Sequence, residues 1–257
     1  MTRKTLSVVI PAFNESRTLA TITERVLLVP HLLEIVIVDD GSSDDTAQIA
    51  RRLAEGNPGL IRVLQHDRDQ GKTAALRSGF AATQGDIVIV QDADLEYNPA
   101  EIIDVIQPII DGIADVVYGS RFSVRKGSHT LNLRHFFANK TLTFVSNLFT
   151  HLNCTDVETG YKAFRGDIIR NMIISSSGFG FEVEATAKIA KLHCAVYEVP
   201  IGYHGRTRQF GKKVRFSDGI VAFWYIFFYN VLCNTGNSFR SLPAETIVRA
   251  ASLGLPP

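Results

Sequence analysis

Two aspartates separated by one residue, Asp92 and Asp94, follow the β-branched run Ile87-Val88-Ile89-Val90. Side chains two apart in an extended chain point the same way, so both carboxylates can reach one ion. Oxygen donors of this kind suit a hard divalent cation such as Mg2+ or Mn2+. An Asp-x-Asp also arises where the second aspartate only caps a turn, and the neighbouring segments bear on the choice. Pro11-Ala12-Phe13-Asn14-Glu15, Asp39-Asp40-Gly41-Ser42-Ser43 and Gly119-Ser120-Arg121 each close a comparable apolar run. Ligands of open parallel sheets bind beyond the carboxyl ends of the strands. Three carboxylate-bearing ends on one rim repel one another unless a cation sits among them. Asp40 can accept hydrogen bonds from a base or ribose, with Phe13 against the base ring; Asp-Asp-Gly is equally a strand-to-helix turn. Glu15 reads as a first-turn residue favoured by the helix dipole, with nucleotide contact the alternative.

The elements that must position these residues alternate along the chain. Leu6 to Ile10, Glu34 to Val38, Ile61 to Leu64, Asp86 to Val90 and Asp115 to Tyr118 read as strands, nearly continuous in Val and Ile, as strands covered on both faces should be. Between them, Leu19, Ile22 and Val26 mark a helix face. Ser43 is the expected N-cap of a second helix carrying Ala47, Ala50 and Leu53. A third helix runs from Thr73 to Thr83, and Asn98-Pro99 opens a fourth. Crossovers of this length build a mainly parallel, Rossmann-like sheet flanked by helices. Further on, Leu131 to Leu152 and Phe181 to Leu192 read as helices, and Thr159 to Phe164 and Ala195 to Ile201 as strands.

The chain has 257 residues, 46% hydrophobic and 21% charged, with net charge +1. That balance gives no global field for nucleic acid. Cys154, Cys194 and Cys233 are widely spaced and odd in number, matching neither a disulfide framework nor a zinc site. No signal peptide is read at the start, and a cytoplasmic location is expected.

In order and spacing, Pro11-Ala12-Phe13-Asn14-Glu15, Val38-Asp39-Asp40-Gly41-Ser42-Ser43-Asp44-Asp45-Thr46, Asp92-Ala93-Asp94-Leu95-Glu96 and Tyr118-Gly119-Ser120-Arg121 resemble the signatures of family-two glycosyltransferases with the GT-A fold. The branch most resembled includes dolichyl-phosphate mannose and glucose synthases. Later segments fit it too: Asp156 through Thr159-Gly160-Tyr161-Lys162, Phe181-Glu182, and Glu198-Val199-Pro200-Ile201 followed by Arg208 and Gly211-Lys212-Lys213. The resemblance implies a nucleotide-sugar donor, with Pro11, Phe13, Glu15, Val38 and Asp40 lining the nucleoside pocket. Asp92, Ala93, Asp94 and Glu96 would surround metal and diphosphate, with Asp92, Asp94 and Glu96 as the metal ligands. Arg121 would hold phosphate, and Arg208 with Lys212 or Lys213 would close over donor or acceptor phosphates. Two departures stand out: Phe13 replaces a common Tyr, and Glu96 stands where some relatives have Gln or Ser.

Arg206, Arg208, Lys212, Lys213 and Arg215 form a basic run, followed by the aromatic run Ile220 to Cys233. The latter is shorter than the roughly 17–25 residues that span a bilayer. It reads as a buried helix or as an interfacial one at a membrane surface. The expected organisation is a catalytic domain over 1–215, an amphipathic helix over 216–237 and a loosely ordered tail over 238–257. A lipid phosphate is then the economical acceptor. Such a phosphate, with a second pKa of about 6, needs no general base; a hydroxyl acceptor would need one, and Asp156 is the candidate. Two other function classes compete with this reading. Gln70-Gly71-Lys72-Thr73 looks like the end of a P-loop, but His66 stands where the first glycine is required. A non-catalytic nucleotide-sugar-binding subunit would not need Asp92, Asp94 and Arg121 together.

Overall fold

The computed structural model describes residues 4–123, 133–205 and 216–241. Seven strands, β1 (Leu6–Ala12), β2 (Leu32–Asp39), β3 (Ile61–Gln65), β4 (Ile87–Val90), β5 (Val116–Ser120), β6 (Lys162–Arg165) and β7 (Val196–Pro200), form one sheet in the order β3-β2-β1-β4-β6-β5-β7. Branched side chains alternate across it. Val9, Val36, Val38 and Val88 face one side, and Val8, Ile10, Ile35, Ile37, Ile87 and Ile89 the other. Each side is covered by helices, so the central strands β1, β2, β4 and β5 carry no solvent-facing polar side. On the isoleucine side lie α1 (Leu19–Val26), α2 (Thr46–Gly56) and α4 (Ile102–Ile110). On the valine side lie α3 (Lys72–Ala82), α5 (Leu133–Thr150), α6 (Gly166–Asn171), α7 (Phe181–Ala190) and α8 (Phe216–Phe227), the last continuing as a π-helical turn, Phe228–Leu232.

All pairings are parallel except those of β6, which runs antiparallel to both β4 and β5. After α5 the chain returns to the rim at which β5 ended and enters the sheet from there. The residues just before β6 therefore stand at the carboxyl ends of β4 and β5, where ligands of such sheets bind.

The sequence misplaces one cap. Asp45, without a side-chain bond, precedes α2. Ser43 instead donates its N–H to Asn14 Oδ1 at 2.8 Å, while Asp44 Oδ1 accepts from the Thr46 N–H at 3.0 Å. With several capping residues in a row, the one that wins is set by Asn14 across the rim. Asn98 behaves as expected and accepts from the Ala100 N–H at 3.2 Å, opening a 3-10 turn before α4.

At the far end, α8 is tied to α7 and to the segment before it. Tyr229 OH lies 3.0 Å from Ser175 Oγ, and Tyr225 OH accepts from the Ser177 N–H at 3.2 Å. Ser238 and Phe239, the first residues of the segment expected to be loosely held, are buried, and Phe239 bridges Met172.

Candidate active site

Asp92 stands beyond β4, and its carboxylate already holds a cation. Lys72 Nζ, from the first residue of α3, lies 2.8 Å from Asp92 Oδ1 and 3.2 Å from Glu182 Oε1 at the start of α7. Burial works against the ammonium, but Asp92 and then Glu182 outweigh it and hold its pKa above the usual lysine range. The other side of Asp92 is backed by Gly160, where a Cβ would fall 2.5 Å from Asp92 Oδ2. Only glycine lets this backbone approach the carboxylate so closely.

Asp94 Oδ1 accepts from the Glu96 N–H at 3.2 Å, the turn contact that competes with ion binding for such a residue. Tyr203 OH donates to Glu96 Oε2 at 2.9 Å. Among the described residues, no three or more His, Cys, Asp and Glu side chains are gathered in a metal cage, so Asp92, Asp94 and Glu96 do not form one as they stand. The position nevertheless suits a cation: Asp92 is charge-paired in a mostly buried place, and Asp94 follows two residues on.

Arg121 leaves β5 and meets Asp156 from the segment before β6. Its Nε donates to Asp156 Oδ2 at 2.7 Å and its Nη2 to Oδ1 at 2.8 Å, a two-pronged pair, and its backbone N–H adds a third bond. The guanidinium also sits over the Tyr203 ring, 5.3 Å from its centroid. A carboxylate held in this way is poorly placed to collect a substrate proton.

The adjacent aspartates at the end of β2 sit in different surroundings. Asp40 accepts from the backbone N–H groups of Gln70 (3.1 Å) and Gly71 (2.8 Å), and its Oδ1 lies 2.6 Å from His66 Nδ1. It braces the 66–71 segment that leads into α3. Asp39 is wholly buried, and both of its carboxylate oxygens lack a hydrogen-bond partner among the described residues. An unmatched buried carboxylate is costly and marks a position waiting for donors. Nearby, an open cleft of about 460 Å³ is lined by Gly41, Ser42, Gln65, His66 and Asp67.

The remaining expected residues fall in distinct places. Phe13 and Glu15 lie just beyond β1, and Thr18 Oγ1 donates to Glu15 Oε2 at 2.9 Å. Pro11 pairs with Val38 in the sheet; the Val38 side chain is sealed in the valine-side core, and Ala93 is buried beside the opposite core. Arg208, Lys212 and Lys213 lie outside the described residues.

Sequence reasoning passed over Asp39, the Lys72–Glu182 contact and Glu158. The last stands between Asp156 and Gly160, with its Oε1 shut away from solvent and unpartnered among the described residues. Burial, then the Glu182 charge, pushes its carboxyl up to about 7. Lys162 Nζ clamps this segment by donating to the Val157 and Thr159 carbonyls, at 2.7 and 2.8 Å.

The family model described as glycosyl transferase family 2 matches residues 7–173. The chain belongs to this family. The enzyme is accordingly a glycosyltransferase, and its sheet, with one antiparallel strand let into a parallel set, is the GT-A framework expected above. The glycosyltransferase is 30% identical to polyprenol monophosphomannose synthase of Mycolicibacterium smegmatis, over 88% of each chain. It is 26% identical to dodecaprenyl-phosphate galacturonate synthase of Rhizobium johnstonii, over 92% of this chain and 71% of that one. In fold it is similar to glucosyl-3-phosphoglycerate synthase from Mycobacterium tuberculosis, solved with Mn2+, UDP and phosphoglyceric acid. There the TM-score is 0.69 at 22% identity, covering 91% of this chain and 81% of the other.

Proposed function

We propose that the enzyme transfers a hexose from a nucleoside-diphosphate sugar to a polyprenyl phosphate, with inversion at the anomeric carbon. The carrying observation is an exposed apolar face beside the catalytic layer. On α5, Phe137, Phe144 (67% exposed) and Leu148 point outward; on α8, Ile220, Phe223, Trp224 (56% exposed) and Phe227 do. The two helices pack together, with Phe149 edge-on to Phe227. A contiguous apolar patch of this kind marks an interaction surface, and one rich in Trp and Phe suits a membrane interface. The basic run Arg206 to Arg215 directly precedes α8 in sequence and would favour anionic headgroups. None of the helices in the described residues is long and apolar enough to cross a membrane, so the surface would be met from one side. The similarity to polyprenol monophosphomannose synthase supports the same acceptor class.

In this reading Asp39 receives the nucleoside, and Asp92 and Asp94 hold a divalent ion. When bound, that ion neutralises charge on the departing diphosphate. Lys72, released from Asp92, turns toward Glu182 or the diphosphate, and Arg121 presents its outer N–H groups to phosphate. Arg208 with Lys212 or Lys213 would supply further positive charge to the phosphates. The acceptor phosphate is already anionic near neutral pH and attacks without a base, in keeping with an Asp156 that is committed to Arg121. The enzyme would then work peripherally at the cytoplasmic face of a membrane.

The test is transfer of radiolabel from UDP- and GDP-sugars, with Mg2+ or Mn2+, into an organic phase containing polyprenyl phosphate. Label in the lipid that is lost with chelator and with Asp94→Ala supports the reaction. Donor binding with no lipid product under any of these conditions refutes the acceptor.

A further inference from the structure

Tyr203 has no part in the roles above, yet it touches both halves of the site. Its hydroxyl donates to Glu96 Oε2 at 2.9 Å, and the next residue repeats the tie through the backbone, the His204 N–H donating to the Glu96 carbonyl at 2.9 Å. Its ring lies against the Arg121 guanidinium, 5.3 Å from the ring centroid. Glu96 closes the loop that begins with Asp92 and Asp94, whereas Arg121 leaves the end of β5. One side chain therefore joins the segment suited to a cation to the arginine suited to phosphate.

Tyr203 is itself held from several directions. Just before it, the Ile201 N–H donates to the Ser120 carbonyl at 3.0 Å, and the Gly202 N–H reaches both carboxylate oxygens of Glu101 at 3.1 and 2.8 Å. Just after it, the chain folds back so closely that a Cβ on Gly205 would fall 2.9 Å from Tyr203 Cε1. Tyr97, stacked on Tyr161 with centroids 4.7 Å apart, stands behind the ring at 5.6 Å. The phenol is thus a fixed point to which the two halves can be referred.

Each contact has a separate consequence. A hydroxyl that donates to a carboxylate beside a cation keeps the loop of ligands in place, and loss of such an outer partner typically weakens metal binding 10–100-fold. The Arg121 guanidinium has one edge taken by Asp156 and one face by Tyr203. A planar group held by edge and face keeps its remaining N–H groups in one orientation. We propose that Tyr203 is the positioning residue that keeps the cation and the donor's phosphates in register, its hydroxyl fixing the loop of Asp94 and Glu96 and its ring fixing Arg121. This rests on the reading above in which Asp92 and Asp94 hold a divalent ion and Arg121 meets phosphate.

Because the two contacts use different atoms of one side chain, they can be removed one at a time, and binding reads both without the acceptor. Free Mn2+ would be followed by paramagnetic resonance as it is titrated with the whole chain, and Kd values for UDP and GDP taken by calorimetry in chelator. Tyr203→Phe keeps the ring and loses the hydroxyl: the Mn2+ midpoint should rise about tenfold, with the metal-free diphosphate Kd unchanged. Tyr203→Leu loses both: the Mn2+ midpoint should rise as far, and the metal-free Kd should weaken by about three- to tenfold. A residue that only packed the fold would move both affinities together with Tm in either variant. A Tyr203→Phe midpoint at the wild-type value overturns the assignment, as does a metal-free Kd that the two variants weaken equally. A wild type that binds neither ion nor diphosphate overturns the donor reading and this one with it. Label that fails to reach lipid, with the binding pattern as expected, sinks the acceptor alone.

Discussion

Replacing Asp156 with alanine tests the site at its most committed contact. The carboxylate is fully buried, and the Arg121 side chain is 10% exposed. Three hydrogen bonds at 2.7, 2.8 and 3.1 Å disappear together. Breaking such a pair strands a charge, at a cost of about 3–5 kcal/mol. For a chain of this size the entropy of unfolding near the midpoint is roughly 0.5 kcal/mol per degree, so Tm should fall by about 6–10 °C. Adding Arg121→Met removes the stranded charge and should recover part of the loss, giving a coupling energy of about 2 kcal/mol in a double-mutant cycle. Thermal and urea unfolding of the two single variants and the double variant supply the four corners. If Asp156 served mainly as a base, Asp156→Ala would abolish turnover while leaving Tm within about 2 °C. That outcome would refute the reasoning.

Asp39→Asn should lower nucleotide affinity by about tenfold while leaving the fold equally or more stable, because an unmatched buried charge is removed; calorimetry and melting, run together, check the opposed signs. Gly160→Ala drives a methyl into Asp92 and should cost about 1–3 kcal/mol, with the midpoint of the metal titration moving to higher concentration. Burial, then the Glu198 charge, lifts Cys154 to about 12, so it stays a thiol in neutral or mildly alkaline buffer; a thiol reagent should modify it only on unfolding, with reactivity in the native state rising only as pH approaches that value. Trp224→Asp with Phe144→Asp should abolish sedimentation with anionic vesicles and leave donor binding intact; retained sedimentation would remove the case for the apolar face as the docking surface.

Much of this architecture was legible because the strands are buried on both faces, which makes Val36 to Val38 or Ile87 to Val90 unmistakable. The direction of β6 was not legible. It depends on where the chain re-enters after α5, and nothing local in Lys162 to Arg165 records that. The pairing of Arg121 with Asp156 was hidden for the same reason, since both sides are fixed by that re-entry. Asp39 and Asp40 show a finer limit. Motif reading singles out Asp40 alone, but which of the two bonds to the protein depends on the path of residues 66–71, and Asp40 is the one within its reach. Lys72 was visible only as a helix-start residue, because its partners Asp92 and Glu182 come from two other elements.

The tie between α8 and the 175–180 segment limits how the molecule can be divided. Thr73, next to Lys72, donates both its N–H and its hydroxyl to the Gly178 carbonyl at 3.0 Å, and the Ser177 N–H donates to Tyr225 OH on α8. Two hydrogen-bonded steps thus join the aromatic surface to the turn that carries the ammonium beside Asp92. These contacts run across the expected boundary at residue 215. The exposed aromatic surface of α8 and the segment that carries Lys72 should therefore melt as one cooperative unit.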